Sequence, residues 1–226
     1  MNARRVFGAL LAHYGEPPAP PASDLFALVL YEQVAYLATD AKRIVAFRAL
    51  RDQVGLTPKD ILDASDDALR RVCALGGSIA VDDRAERMRE SARLVVSQFG
   101  GDASAMLALP EDRARRALQQ FPMIGEPAAD KLLALAHKTA RVPLDSNALR
   151  VLNRLALVPE QPNYSAMYRD AQRVLASLVP PSAPAGANVT LGAVLREHGL
   201  TLCKRSAPKC TGCPVRNECP SAEPLV

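Results

Sequence analysis

Residues 114–137 carry two helical patterns on either side of a turn rich in proline and glycine. Ala114 to Gln120 has helical spacing, Phe121-Pro122-Met123-Ile124-Gly125 follows, and Pro127 to His137 has a second helical pattern. Pro122 and Gly125 end the first helix in a tight turn, and Pro127 suits the first turn of the next one. Taken alone, the stretch is two short helices joined by an ordinary hairpin.

Helical signals continue on both sides of it. Val6, Leu10 and Leu11 mark a first amphipathic helix that stops at Gly15, and four prolines between Glu16 and Ala22 read as a stiff linker. A second helix is expected to start at a Ser23 cap and, being apolar nearly all round, to lie in the core. Thr57-Pro58, Ser65-Asp66-Asp67, Asp82-Asp83 and Pro110-Glu111-Asp112 read as further helix starts, and Gly100-Gly101 as a stop. A second proline-rich linker covers 179–184. No alternating strand pattern persists, and the low aromatic share of 4% argues against a β-sandwich. The fold class expected is all-α.

In 226 residues there is room for one large domain or two small ones. No run approaches 18 apolar residues, so no membrane contact is expected. Met1-Asn2-Ala3-Arg4-Arg5-Val6-Phe7 lacks the pattern of a secretory leader, so a cytoplasmic protein is expected. The formal charge of +4 permits a polyanionic partner without requiring one. Six of the 28 basic residues are lysines, so amine chemistry has few sources.

Cys203, Cys210, Cys213 and Cys219 crowd the C-terminal end with the spacing C-x6-C-x2-C-x5-C. Two thiolates from the C-x2-C core reach one centre, and the outer two close it. The spacing leaves an iron–sulfur cluster, a structural zinc ion and two disulfides open. Cys73 is expected to be a buried thiol outside this set. Between hairpin and tail lies Val142-Pro143-Leu144-Asp145-Ser146-Asn147-Ala148-Leu149-Arg150-Val151-Leu152-Asn153-Arg154, where Asp145 has the position of a helix N-cap.

Hairpin, aspartate and cysteine spacing, in this order, resemble the helix–hairpin–helix DNA glycosylases of the iron–sulfur branch, which includes endonuclease III and the adenine-specific mismatch glycosylases. The resemblance covers about residues 24–220. It implies a two-domain fold: a six-helix barrel-like domain (24–139) carrying the hairpin, and a cluster domain (1–23 with 140–226), with DNA in the cleft between them. It implies a [4Fe-4S] cluster on Cys203, Cys210, Cys213 and Cys219, and Asp145 as the catalytic carboxylate. The hairpin, with Met123 and Gly125, would bind a phosphate through backbone N–H groups and the helix dipole. Gln33 would sit near the flipped base, and Lys131, Lys204, Arg205 and Lys209 would contact DNA.

Three positions depart from the family pattern. Met123 stands at the usual first hairpin glycine. Pro127 replaces the lysine that forms a Schiff base in bifunctional members, and Leu28 replaces the glutamate of the adenine-specific branch, with Glu32 one turn later. The expected activity is monofunctional excision of a damaged or mismatched base from double-stranded DNA by a monomeric, nucleoid-associated enzyme. The alternatives are a lyase using a displaced amine, Lys131 first, and a non-catalytic binder of lesions or abasic sites. Because the chain ends at Val226, an A:oxoG-specific enzyme is not expected. In the loop Leu75–Val81, Ile79 or Val81 is the candidate to enter the duplex. Arg84, Arg87, Arg89 and Arg93 are expected on a solvated face, and His13, His137 and His198 in structural roles.

Overall fold

A computed structural model describes residues 3–18, 21–179, 183–184 and 186–222. All regular structure among them is helical, as the sequence predicts. Both proline-rich linkers fall partly outside the described residues, at 19–20 and 180–182. The chain divides into two compact units, residues 1–19 with 137–226, and residues 20–136.

The first helix, α1 (Ala3–Tyr14), belongs to the split unit and buries Val6 and Leu10. The continuous unit holds seven α-helices among the described residues, one more than the six expected. Its centre is α2 (Leu25–Gln33), whose first six residues are all buried. Asp24, not Ser23, caps it, accepting from the Ala27 N–H at 2.9 Å. Around it lie α3 (Asp40–Gln53), α4 (Pro58–Asp63) and α5 (Asp66–Leu75). Thr57 and Asp60 close a reciprocal capping box on α4, and Ser65 caps α5. Next comes α6 (Val81–Phe99), entered through Ala80 in the left-handed region without a side-chain cap, so Asp82 and Asp83 lie inside the first turn. Gly100, also left-handed, ends it. A 3-10 turn (Ala103–Ala108) leads to the hairpin helices α7 (Glu111–Leu118) and α8 (Glu126–Leu135). Phe26, Phe47 and Phe121 are among the buried side chains that fill this core. Each buried phenylalanine or leucine contributes roughly 1.5–3 kcal/mol.

In the split unit, α9 (Ser146–Arg154), α10 (Tyr164–Ala176) and α11 (Ala187–Thr201) pack with α1 around Leu149, Leu152, Tyr168 and Leu195. Helix α11 approaches the segment before α9 so closely that a Cβ at Gly192 would lie 2.3 Å from the Pro143 carbonyl oxygen. That contact requires glycine.

Candidate functional site

Asp145 owes its position to the extended segment that leads into α9. Gln172 Nε2 donates to the Val142 carbonyl at 2.7 Å, and Gln172 Oε1 accepts from the Val142 N–H. Asn188 Nδ2 donates to the carbonyls of Thr139 and Arg141. Both amides are buried, so the strand-like lead-in is fixed by side chains where no sheet exists to fix it. Asp145 then caps α9: Oδ1 accepts from the N–H groups of Asn147 and Ala148, each at 2.9 Å. Oδ2 accepts from Asn147 Nδ2 at 3.1 Å and lies 3.2 Å from Arg196 Nε of α11. Three hydrogen-bond donors and one guanidinium therefore surround the carboxylate. Tyr164, at the start of α10, has its hydroxyl pushed up to about 12 by burial and by the negative charge of Asp145.

The far side of α9 faces the cysteine loop. Arg150 donates to Asn147 Oδ1 and to the carbonyls of Gly199 and Cys203. A Cβ at Gly199 would lie 2.8 Å from Asn147, so glycine is again what permits the approach. Arg154 donates to the carbonyls of Lys204 and Arg205 and lies 3.4 Å from Cys203 Sγ. These contacts shape the loop and leave the side chains of Lys204, Arg205 and Lys209 exposed.

Cys203, Cys210, Cys213 and Cys219 form no disulfide and line one pocket with Val151, Leu155, His198, Leu202 and Val215. The pocket encloses about 430 Å³ free of protein atoms, part of it open to solvent. Among the described residues no three His, Cys, Asp or Glu side chains converge tightly enough for a single metal ion. Four thiols with largely apolar walls and a nearby guanidinium are a donor set that fits a thiophilic centre. Burial pushes the Cys213 and Cys219 thiols up, and the other cysteines add to this. His198 is buried beneath the pocket, with Nδ1 2.9 Å from the Tyr14 hydroxyl and Nε2 3.6 Å from Cys213 Sγ. Desolvation lowers its imidazole to about 4, so it is neutral at pH 7.

The continuous unit holds the hairpin. Met123, 58% exposed, has φ +65°, the left-handed conformation for which glycine is suited. Gly125 is extended and serves as the N-cap of α8, with Glu126 and Pro127 opening the helix. Beneath the turn, Arg115 of α7 reaches the fully buried Asp130 of α8 at 2.6 Å, while Glu111 and Asp112 hold its other nitrogens.

Two expectations for this unit need correction. Gln33 is not presented at the surface: it is 4% exposed, and its Nε2 donates to Ser91 Oγ and the Pro122 carbonyl. It braces the hairpin from behind. Arg84 is not on a solvated face either. It is 1% exposed and donates to the carbonyls of Val34, Gly77 and Ile79, tying residues 76–80 to the end of α2. A buried guanidinium needs this many acceptors, and loop carbonyls supply them. Ile79 is then 48% exposed and Leu37, at φ +48°, 78% exposed. Lys131 is paired with Glu32 at 2.6 Å.

Sequence reasoning missed Arg196, Tyr164, Arg150 and Arg154. The two arginines of α9 lie at intervals of four along one helix face, a pattern available beforehand. Nothing in the sequence pairs Arg196 with Asp145.

No family profile matches the chain. An adenine DNA glycosylase of Arabidopsis thaliana is 32% identical over 136 residues, which is 60% of this chain and 20% of that protein. An endonuclease III of Sulfolobus acidocaldarius is 24% identical over 201 residues, 87% of this chain and 82% of that one. The structure of a trapped endonuclease III–DNA covalent intermediate superposes with a TM-score of 0.76 at 17% identity, covering 98% of both chains. The architecture is therefore the two-domain helical fold of endonuclease III. In sequence the chain is similar to DNA glycosylases of the endonuclease III and adenine glycosylase branch of the helix–hairpin–helix superfamily. It spans from a fifth to just over a quarter of the length of the curated adenine glycosylases it matches.

Proposed function

We propose that this chain is a monofunctional DNA glycosylase of base excision repair, hydrolysing the N-glycosidic bond of a damaged or mismatched base in double-stranded DNA. The observation that carries the reading is Asp145, held at the start of α9 by backbone donors on one oxygen and side-chain donors on the other. Such a carboxylate is a preorganised negative charge, suited to stabilise the oxocarbenium-like sugar that develops as the base departs. Water then adds to the sugar, with Asp145 placed to orient it or take its proton.

Pro127 supports the monofunctional reading, since it offers no amine at the position of the family's lyase lysine. Lys131 is no ready substitute, because an ammonium paired with Glu32 is not a free nucleophile. The hairpin N–H groups at Met123 and Gly125, with Lys204, Arg205 and Lys209, are proposed as phosphate contacts. Ile79 and Leu37 are proposed to face the duplex. Cys203, Cys210, Cys213 and Cys219 would hold a [4Fe-4S] cluster, which supplies a rigid cross-link for the loop that presents those cations. The protein is proposed to act as a monomer on DNA inside the cell.

Excess enzyme is incubated with duplexes bearing uracil, G:T, A:oxoG, thymine glycol or an abasic site, and each sample is split between hot alkali and neutral buffer. Cleavage after alkali alone, lost in Asp145→Asn, is the expected result and names the substrate. Cleavage in neutral buffer would refute the monofunctional assignment. Tight binding without cleavage on every duplex would favour the lesion-binding alternative.

A further inference from the structure

Three of the four polar contacts of Asp145 belong to the first turn of its own helix and move with it. The fourth does not. Arg196 lies on α11, and its Nε is 3.2 Å from Oδ2. Both side chains are 37% exposed, so the pair stands at the surface of the unit where a substrate can reach the carboxylate. Oδ1 is held by two backbone N–H groups of α9, whereas Oδ2 is held by side chains alone. Its direction is set by Asn147 and Arg196. Asn147 is itself braced by Arg150, whereas Arg196 reaches Oδ2 from a separate helix.

We propose that Arg196 is a positioning residue for the reaction, fixing Oδ2 of Asp145 against α11 so that the negative charge meets the reacting sugar in one orientation. The inference rests on the glycosylase reading above. A fixed charge stabilises a transition state because no reorganisation is needed when the cation forms. A carboxylate tethered only to its own helix N-terminus keeps its cap but loses the cross-helix restraint. Misplacement of a reacting group by about 1 Å costs up to roughly 100-fold in rate.

The test uses the full chain and the duplex from which the native protein excises a base fastest. Under single-turnover conditions with saturating enzyme, Arg196→Ala slows excision by roughly 10- to 100-fold. Affinity for a duplex carrying a non-cleavable nucleotide stays within about three-fold, because the lost contact is to Asp145 and not to a phosphate. Arg196→Lys recovers part of the rate, which loss of packing alone would not explain. Separately, the 15Nε–1Hε NMR resonance of Arg196 in the native protein is shifted by Asp145→Asn. An Arg196→Ala rate within two-fold of native, with Asp145→Asn inactive, would overturn the proposal and leave the glycosylase reading intact. An Arg196 resonance unmoved by Asp145→Asn would overturn it without reference to activity. No excision by the native protein on any duplex would overturn the glycosylase reading and, with it, any role of Arg196 in the reaction.

Discussion

Removing Asp130 should loosen the hairpin more than removing any surface carboxylate near it. Asp130 is fully buried, and the Arg115 side chain it meets at 2.6 Å is 8% exposed. The other carboxylates on Arg115, Glu111 and Asp112, belong to α7 itself, so Asp130 is the partner that ties α7 to α8. Breaking a buried ion pair by deleting one member costs about 3–5 kcal/mol. Glu111 and Asp112 still compensate part of the guanidinium charge, which places Asp130→Ala near the lower end, about 3 kcal/mol. Asp112 is 77% exposed, so Asp112→Ala should cost under about 1 kcal/mol. For a chain of this length, about 3 kcal/mol corresponds to a fall in Tm of roughly 6–12 °C, against about 4 °C or less for Asp112→Ala. Asp130→Asn keeps one hydrogen bond without its charge and should fall between them. Urea titration followed by circular dichroism, with thermal unfolding alongside, measures all three variants. Equal costs for Asp130→Ala and Asp112→Ala would refute the argument that burial, and not ion pairing as such, makes Asp130 matter.

Met123→Gly should raise stability by up to about 1 kcal/mol in the same titration, since glycine removes the left-handed strain at φ +65° while adding freedom to the unfolded chain. Pro127→Lys should create an adduct trappable by borohydride on a damaged duplex, whereas the native protein gives none. Iron analysis should find the metal retained in Cys73→Ser and lost in Cys213→Ser. Cys73 should also resist alkylation in the folded protein at pH 8, because burial pushes its thiol up to about 11 and keeps it protonated.

The elements legible in the sequence were those governed by local chemistry. Thr57-Pro58 and Ser65 cap the helices their residue types announce, Gly100 ends α6, and α2 is buried because it has no polar face. Asp145 was legible as a cap, and the structure adds its cross-helix partner. Long-range pairing was not legible. Arg84 shares the spacing of a solvated arginine row, yet the carbonyls of two loops draw it inward. Gln33 looked available because its neighbours in sequence do not reveal Ser91 or Pro122. Arg196 meets Asp145 because glycines at 192 and 199 let α11 approach, a consequence of packing that no local pattern encodes.

The central claim, base excision dependent on the Asp145 carboxylate, is tested most directly by detecting the free base itself. Native protein and Asp145→Asn are incubated with the preferred duplex, and released base and abasic sites are counted by mass spectrometry. The account predicts base and abasic site in equal amounts from the native protein, an unbroken strand, and neither product from Asp145→Asn. Equal release by Asp145→Asn would contradict it.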